Sequence, residues 1–407
     1  MHHDRHWLWM ISFALGIGVF FPISAGCEIV RVGVIRMELA HFSPHISNSI
    51  KMALEDVRQQ GILGSQRELQ LIERYVPYVP SDLKKVKKIA EELISQERVS
   101  MLLTSVPEDA AVFEIASLAQ AHQVPLVVCL SASDRITEQG WEYVFRLSPP
   151  ASEYFNEVLH FLSMVVKPKT FACLIVEELN PLYTTTFANE RKAGIELVLL
   201  QQYSKGTTDF KPLLKQMKKK NPDVIYLISY AEDGALLLHQ CRELNINPKA
   251  IIGMVAYSLP GFWKLAGEAT DYVFATTFWN PSLPYPGSRE YHDRYLKRYK
   301  TAPDYLGAMA YAAVQVLADA SRRARSTRPA DIRDALASTD MISILGRLKF
   351  ISYGKKARQN RLPSYLIQWI DGKARIVWPP RFSSHSYIFP FPGWKKPSQA
   401  SAPSKFK

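Results

Sequence analysis

At 407 residues the chain is long enough for two domains of ordinary size, and an apolar share of 47% with 22% charged residues excludes disorder as its dominant state. Four cysteines exclude a disulfide-dense scaffold. The formal charge of +12 is spread over separate lysine groups (Lys84 to Lys88, Lys215 to Lys220, Lys395 to Lys407) with no nucleic-acid motif among them, so it reads as solvated helix faces.

The N-terminus has the layout of a secretory signal. Arg5 and three histidines precede an apolar run from Trp7 to Phe21, Pro22 breaks it, and Ile23-Ser24-Ala25-Gly26-Cys27 follows. The run is about 15 residues, short of the ~20 that a spanning helix needs. Cleavage within residues 1–26 leaves an exported, extracytoplasmic chain. Ala25-Gly26-Cys27 also resembles the end of a lipoprotein signal, in which Cys27 would carry a lipid anchor, although Ser24 stands where a leucine is usual. Cys129, Cys173 and Cys241 fall in apolar patterns and read as buried small hydrophobes, with a single bridge left open.

Residues 28–130 alternate predicted strands and helices. Strands are expected at 29–35, 69–72, 100–103 and 125–130. Helices are expected from Ile50 through Val57, at 83–94 and at 110–121. A second series begins near Pro150: a helix at 154–165, then strands at 170–176, 197–202, 224–228, 250–254 and 273–277. Helices at 210–219 and 235–244 lie between the later of these strands. Helices at 288–299, 305–322 and 331–337 follow, then strands at 348–351, 365–370 and 373–378. Ala308, Ala312 and their small neighbours permit close packing of the helix at 305–322. Such alternation predicts an α/β fold of two Rossmann-like lobes, parallel sheets flanked by helices, whose strand ends border one cleft. From Pro379 the chain turns proline-rich, aromatic and basic, either a docked extended tail or a disordered one.

An ordered set of segments carries a resemblance: Phe145-Arg146-Leu147-Ser148-Pro149, Asp223-Val224-Ile225-Tyr226 leading to Tyr230, Ala266-Gly267-Glu268-Ala269, Phe278-Trp279-Asn280-Pro281, and Ala310-Tyr311-Ala312-Ala313-Val314-Gln315. Over about residues 29–380 the succession resembles the type I periplasmic binding proteins of ABC importers, in the leucine/isoleucine/valine-binding branch. The resemblance implies three crossings between lobes, near 147–150, 277–280 and 344–347. It divides the chain into a signal (1–26), lobe one (28–147 plus 280–345), lobe two (150–277 plus 347–380) and a tail (381–407). It also implies a monomer that takes a small-molecule ligand by hinge closure and delivers it to a membrane ABC permease, with no cofactor. The alternative is a sensing or scaffolding subunit of the same fold that signals to a separate membrane partner.

In that family, hydroxyls and main-chain amides after two lobe-one strands take a ligand carboxylate, lobe-two tyrosines cover the ligand, and a lobe-two acid takes its ammonium. By this matching the expected ligand contacts are Ser105, Ser131 and Ser133 in lobe one, and Tyr183, Tyr230, Tyr257 and Trp279 beside or within lobe two. With Phe278 these rings would make an aromatic wall. Ser133 has helix N-capping as its competing role. Two departures stand out. Asp109 occupies a position where a serine is usual, as an opponent of a ligand carboxylate or as a helix cap. Val255 stands where the acid would be, so Glu232, Asp233 or Asp109 would have to replace it. The expected ligand is therefore an amino-acid-like or aromatic/carboxylate solute other than an ordinary branched-chain amino acid.

Other chemistry finds little footing. Glu38, His41 and His45 could share a metal, but loop polarity explains them as well. G-x-S-x-G, H-E-x-x-H and P-loop patterns are missing, and the pair Gly16 and Gly18 lies within the signal, so the expectation is a binding protein and not an enzyme.

Overall fold

The protein, seen in a computed structural model, is described over residues 27–37, 43–76, 82–181 and 193–394. Two sheets organise it. The first opens with β1 (Glu28–Met37), β2 (Arg67–Val76), β3 (Met101–Thr104), β4 (Leu126–Val128) and β5 (Val144–Arg146). The second opens with β6 (Thr170–Val176), β7 (Glu196–Tyr203), β8 (Val224–Ile228), β9 (Ala250–Gly253) and β10 (Phe274–Thr277). Both parallel runs have the same order, β2-β1-β3-β4-β5 and β7-β6-β8-β9-β10. Every residue of β3, β4, β8 and β9 is buried, as expected of strands covered by helices on both faces.

The helices follow from apolar spacing. Leu83–Ser95 buries Val86, Ile89, Ala90 and Leu93, and Asp82 caps its first turn by accepting from the Lys85 N–H. Ser43–Gln59 packs against Tyr305–Ala324, where Gly307 permits the approach. A Cβ there would come within 2.8 Å of Ser49 Oγ and 3.0 Å of the Tyr291 hydroxyl. Arg294 ties this layer together by binding both oxygens of Asp56, at 2.6 and 2.8 Å.

The late strands correct the expected division of the chain. β11 (Asp340–Ser343), β12 (Gly346–Tyr353) and β13 (Lys356–Asn360) complete the first sheet, making it eight-stranded. β13 lies parallel to β5, pairing Gln359 with Arg146. β14 (Tyr365–Ile370) and β15 (Lys373–Trp378) complete the seven-stranded second sheet. The third passage between sheets therefore falls at 361–364, after β13, and not at 344–347. The polar strand β13 is held there because buried Arg146 needs Gln359 as an acceptor.

Residues 380–394 dock on the second sheet. Gln368, fully buried, donates to the Ile388 carbonyl at 2.9 Å and accepts from the Ile388 N–H at 2.8 Å. The Phe391 N–H reaches the Lys249 carbonyl at 2.8 Å, and the Trp394 indole N–H reaches the Ile246 carbonyl at 2.9 Å. For this segment the docked reading of the tail applies; residues 395–407, and residues 1–26 where an export signal is expected, lie outside the described residues. None of the four cysteines is disulfide-bonded; Cys27 is exposed and Cys129, Cys173 and Cys241 are buried. Among the described residues, no helix is long and apolar enough to cross a membrane.

Candidate functional site

All three passages between the sheets leave from one kind of edge. β5 ends at Arg146 and β13 at Asn360, both at the C-terminal edge of the first sheet's parallel strands, and β10 ends at Thr277, at the same edge of the second. The two C-terminal edges therefore both border the crossings, which is where open α/β sheets bind ligands. Passages one and three run side by side: Gln359 donates to the Ser148 carbonyl at 2.8 Å, and Asn360 to the Leu147 carbonyl at 3.1 Å. Aromatic packing fills the second, with Phe278 against Tyr154 at 4.8 Å and Tyr305 at 5.8 Å.

On the first sheet the loop after β4 is held from several sides. The Ser148 hydroxyl donates to the Ser131 carbonyl at 2.8 Å, and the Ala151 N–H donates to the Ala132 carbonyl at 2.8 Å. Arg146, fully buried, donates to the Ser133 carbonyl, to Thr137 and to Gln359. Asp134 accepts from the Ser152 N–H at 3.2 Å and pairs with Lys356 at 2.8 Å. The loop is thus clamped by the first passage itself, so its geometry and the hinge are one structure.

Asp109 points its carboxylate at this loop. Its Oδ1 accepts from the Ser131 hydroxyl and, at 3.1 Å, from the Ser133 N–H. It does not cap its own helix. Glu108 does that, accepting from the Ala110 and Ala111 N–H groups at 3.2 and 2.7 Å. Burial raises the Asp109 pKa above the ordinary carboxylate value, and neighbouring Glu108 adds to this, while the bonds from Ser131 and Ser133 and the charge of Arg146 oppose it. Ser133 does not cap the turn that follows with its side chain either. After β3, Ser105 is 3% exposed and its Oγ has no hydrogen-bond partner.

On the second sheet Tyr230 follows β8, partly exposed, with the Lys205 ammonium 4.6 Å above its ring centroid. Glu232 is exposed, whereas Asp233 is buried with Oδ2 unpaired, and burial raises its pKa. Val255 is partly exposed and packs against the core.

The structure brings Ser105, Ser131, Ser133 and Tyr230 to these edges and corrects two other expectations. Tyr257 is wholly buried in the second lobe. Its hydroxyl meets Ser229 Oγ at 2.7 Å, its ring packs on Phe262, and its carbonyl takes the Trp369 indole N–H at 2.8 Å. Gly234 and Gly253 make the room: a Cβ at Gly234 would lie 2.7 Å from the ring, and one at Gly253 only 2.2 Å from it. Trp279 is 3% exposed, donating to Ser288 at 2.9 Å and packing on Tyr291. Phe278 is equally buried, so of the expected aromatic wall only Tyr230 remains among the described residues. Tyr183, Glu38 and His41 lie outside them; His45 pairs with the Tyr295 hydroxyl at 3.0 Å. A groove of about 570 Å³ runs along the helix Ser43–Gln59 and β2, past Arg36, Glu73 and Tyr75. It is separated from β4 by β3 and β1 and does not belong to the crossing region.

The family described as "Periplasmic binding protein" matches residues 38–374. Leu/Ile/Val-binding protein homolog 7 of Brucella abortus is 26% identical over 403 residues, covering 92% of this chain and 97% of the relative. Among solved structures, the branched-chain amino acid substrate-binding protein LivJ of Streptococcus pneumoniae, in complex with isoleucine, superposes with a TM-score of 0.74 at 18% identity, over 85% of this chain and 98% of that one. A solute-binding protein of an ABC transporter from Rhodopseudomonas palustris, in complex with 3,4-dihydroxybenzoic acid, gives 0.71 at 19% identity, over 85% and 95%.

Proposed function

Because this chain belongs to the periplasmic binding protein family, we propose that it is an exported solute-binding protein that closes its two lobes on a small molecule and presents it to an ABC permease. The observation that carries the reading is the clamped loop 131–134: a site whose backbone is bonded to the first passage links occupancy to lobe position. A ligand touching both edges favours the closed state, because only there are both sets of contacts made. Ser105 contributes from lobe one, beside the loop that Ser131 anchors through Asp109, and Tyr230 contributes from lobe two. Residues 1–26 direct export, and Cys27 is the candidate lipid attachment point. The relatives' ligands, isoleucine in one and an aromatic acid in another, mark the size range of solute and not its identity.

The test combines native mass spectrometry of the purified mature protein with small-angle scattering. The expected result is a bound small molecule whose removal expands the protein and whose return compacts it. A protein that carries no solute, and whose dimensions no amine, amino acid or aromatic acid alters, would not be a binding protein of this kind. Uptake by membrane vesicles carrying the permease distinguishes delivery from sensing: delivery requires solute inside the vesicles in proportion to added protein.

A further inference from the structure

Two donors that converge on one point at a strand end form a cradle for a carboxylate, whether that carboxylate comes from a ligand or from the protein. The Ser131 hydroxyl and the Ser133 N–H form such a pair, and both end on Oδ1 of Asp109. The loop presenting them is fixed by Arg146, Ser148 and Ala151, so the cradle is built and filled from within the chain. Fully buried Arg146 directs its hydrogen bonds to Gln359, Thr137 and the Ser133 carbonyl, and acts on Asp109 through its charge rather than by a hydrogen bond. Asp109 is partly exposed, and its Oδ2 has no protein donor among the described residues.

We propose that Asp109 determines specificity in this cleft. Its carboxylate occupies the cradle that would otherwise hold a ligand's carboxylate, and Oδ2 offers an acceptor to a ligand ammonium, so the solute is an organic amine. The proposal rests on the solute-binding reading above and narrows its substrate class. A carboxylate ligand would meet an occupied donor pair and a like charge. A primary amine meets an unspent acceptor, with a charge-assisted bond available. Ser105, buried after β3 with its hydroxyl unpaired, is a second polar contact on the same edge.

The experiment pairs each acid with an amine of the same frame that carries no carboxylate: leucine with 3-methylbutylamine, which lacks its carboxylate, and benzoate with benzylamine, in which an aminomethyl group replaces it, titrated by calorimetry. In the wild-type protein each amine is expected to bind about tenfold or more tighter than its partner acid. Asp109→Ser frees the cradle and should reverse the preference by a similar factor. Asp109→Asn keeps the size and the acceptor of the side chain but not its charge, so it should lose the amine preference without gaining the acids. Circular dichroism and melting curves confirm that both variants fold. An acid bound as tightly as its amine by the wild-type protein, or a ratio unchanged by Asp109→Ser, overturns the proposal. So does failure of the wild-type protein to bind either amine. A different solute found by native mass spectrometry would then keep the solute-binding reading alive while this narrowing fails; its absence would remove both.

Discussion

The loop after β4 and the segment after β8 both lie at the C-terminal edge of a parallel run, one on each sheet, yet they are built differently. In the first, Ser131, Ser133 and Asp134 are bonded to Asp109, to Arg146 and to residues of the first passage, so the loop is set before any solute arrives. In the second, Tyr230 is partly exposed with the Lys205 ammonium 4.6 Å from its ring centroid, and the adjacent Ser229 bonds the buried Tyr257 hydroxyl. The difference assigns separate work to the lobes. On the proposed reading, a preorganised edge selects the charge of what binds, and the partly exposed ring of Tyr230 borders its remainder.

The widest contrast lies within the second lobe, between two tyrosines 27 positions apart in the sequence numbering, Tyr230 and Tyr257. Tyr257→Ala empties a fully buried site and strands the Ser229 hydroxyl, so a loss of about 3–5 kcal/mol is expected in urea unfolding. Tyr230→Ala should change stability by less than about 1 kcal/mol and instead weaken solute binding. The division fails if Tyr230→Ala unfolds the protein as readily as Tyr257→Ala does, or leaves affinity untouched.

On the first lobe the equivalent probe is Arg146. Arg146→Met deletes three hydrogen bonds and leaves Gln359 Oε1 with only the Thr137 hydroxyl and the Ser133 carbonyl with only the Ile136 N–H, each at 3.3 Å, at an expected cost of about 3 kcal/mol. Because the same residue holds the cradle loop, solute affinity should fall together with stability. Measured stability near wild type with intact binding would show that the loop holds its shape without Arg146.

How much of this was legible before the structure depends on the kind of signal. Apolar strands such as β6 and β8, and amphipathic helices such as Leu83–Ser95, announce themselves by period alone. β13 does not: Lys356-Ala357-Arg358-Gln359-Asn360 reads as a loop, because its polarity serves Arg146 and the acids Asp134 and Glu138 instead of water. Tyr257 and Trp279 follow strands and so look like cleft residues. What sends them inward is distant partners, Ser229 and Ser288, although Gly234 and Gly253 hint at a ring needing space. Asp109 is visible as an odd residue in the pattern, but its role depends on Ser131, 22 residues away, and no local pattern encodes that contact.

The smallest expected effect comes from comparing one acid on each lobe. Asp223 accepts from the Lys169 N–H at 2.7 Å and pairs with Lys249 at 2.9 Å. Burial alone would raise its pKa, but these partners outweigh it and hold the group below its ordinary value of 3.8. Its contribution to stability is therefore present above pH 3.8 and is lost as the pH falls through the lower folded value. Asp109 has the opposite sign: burial raises its folded pKa, so the stability it offers is full below its unfolded value and is lost as the pH rises through the folded one. At neutral pH, Asp223→Asn should lower the melting temperature and Asp109→Asn should raise it, each by ~2 °C. On acidification both differences should shrink, Asp223→Asn losing its penalty and Asp109→Asn its advantage. If Asp109→Asn instead melts lower at neutral pH, then the ionised carboxylate is stabilised by its cradle more than burial opposes it, and Asp109 is a structural anchor before it is a selector of charge.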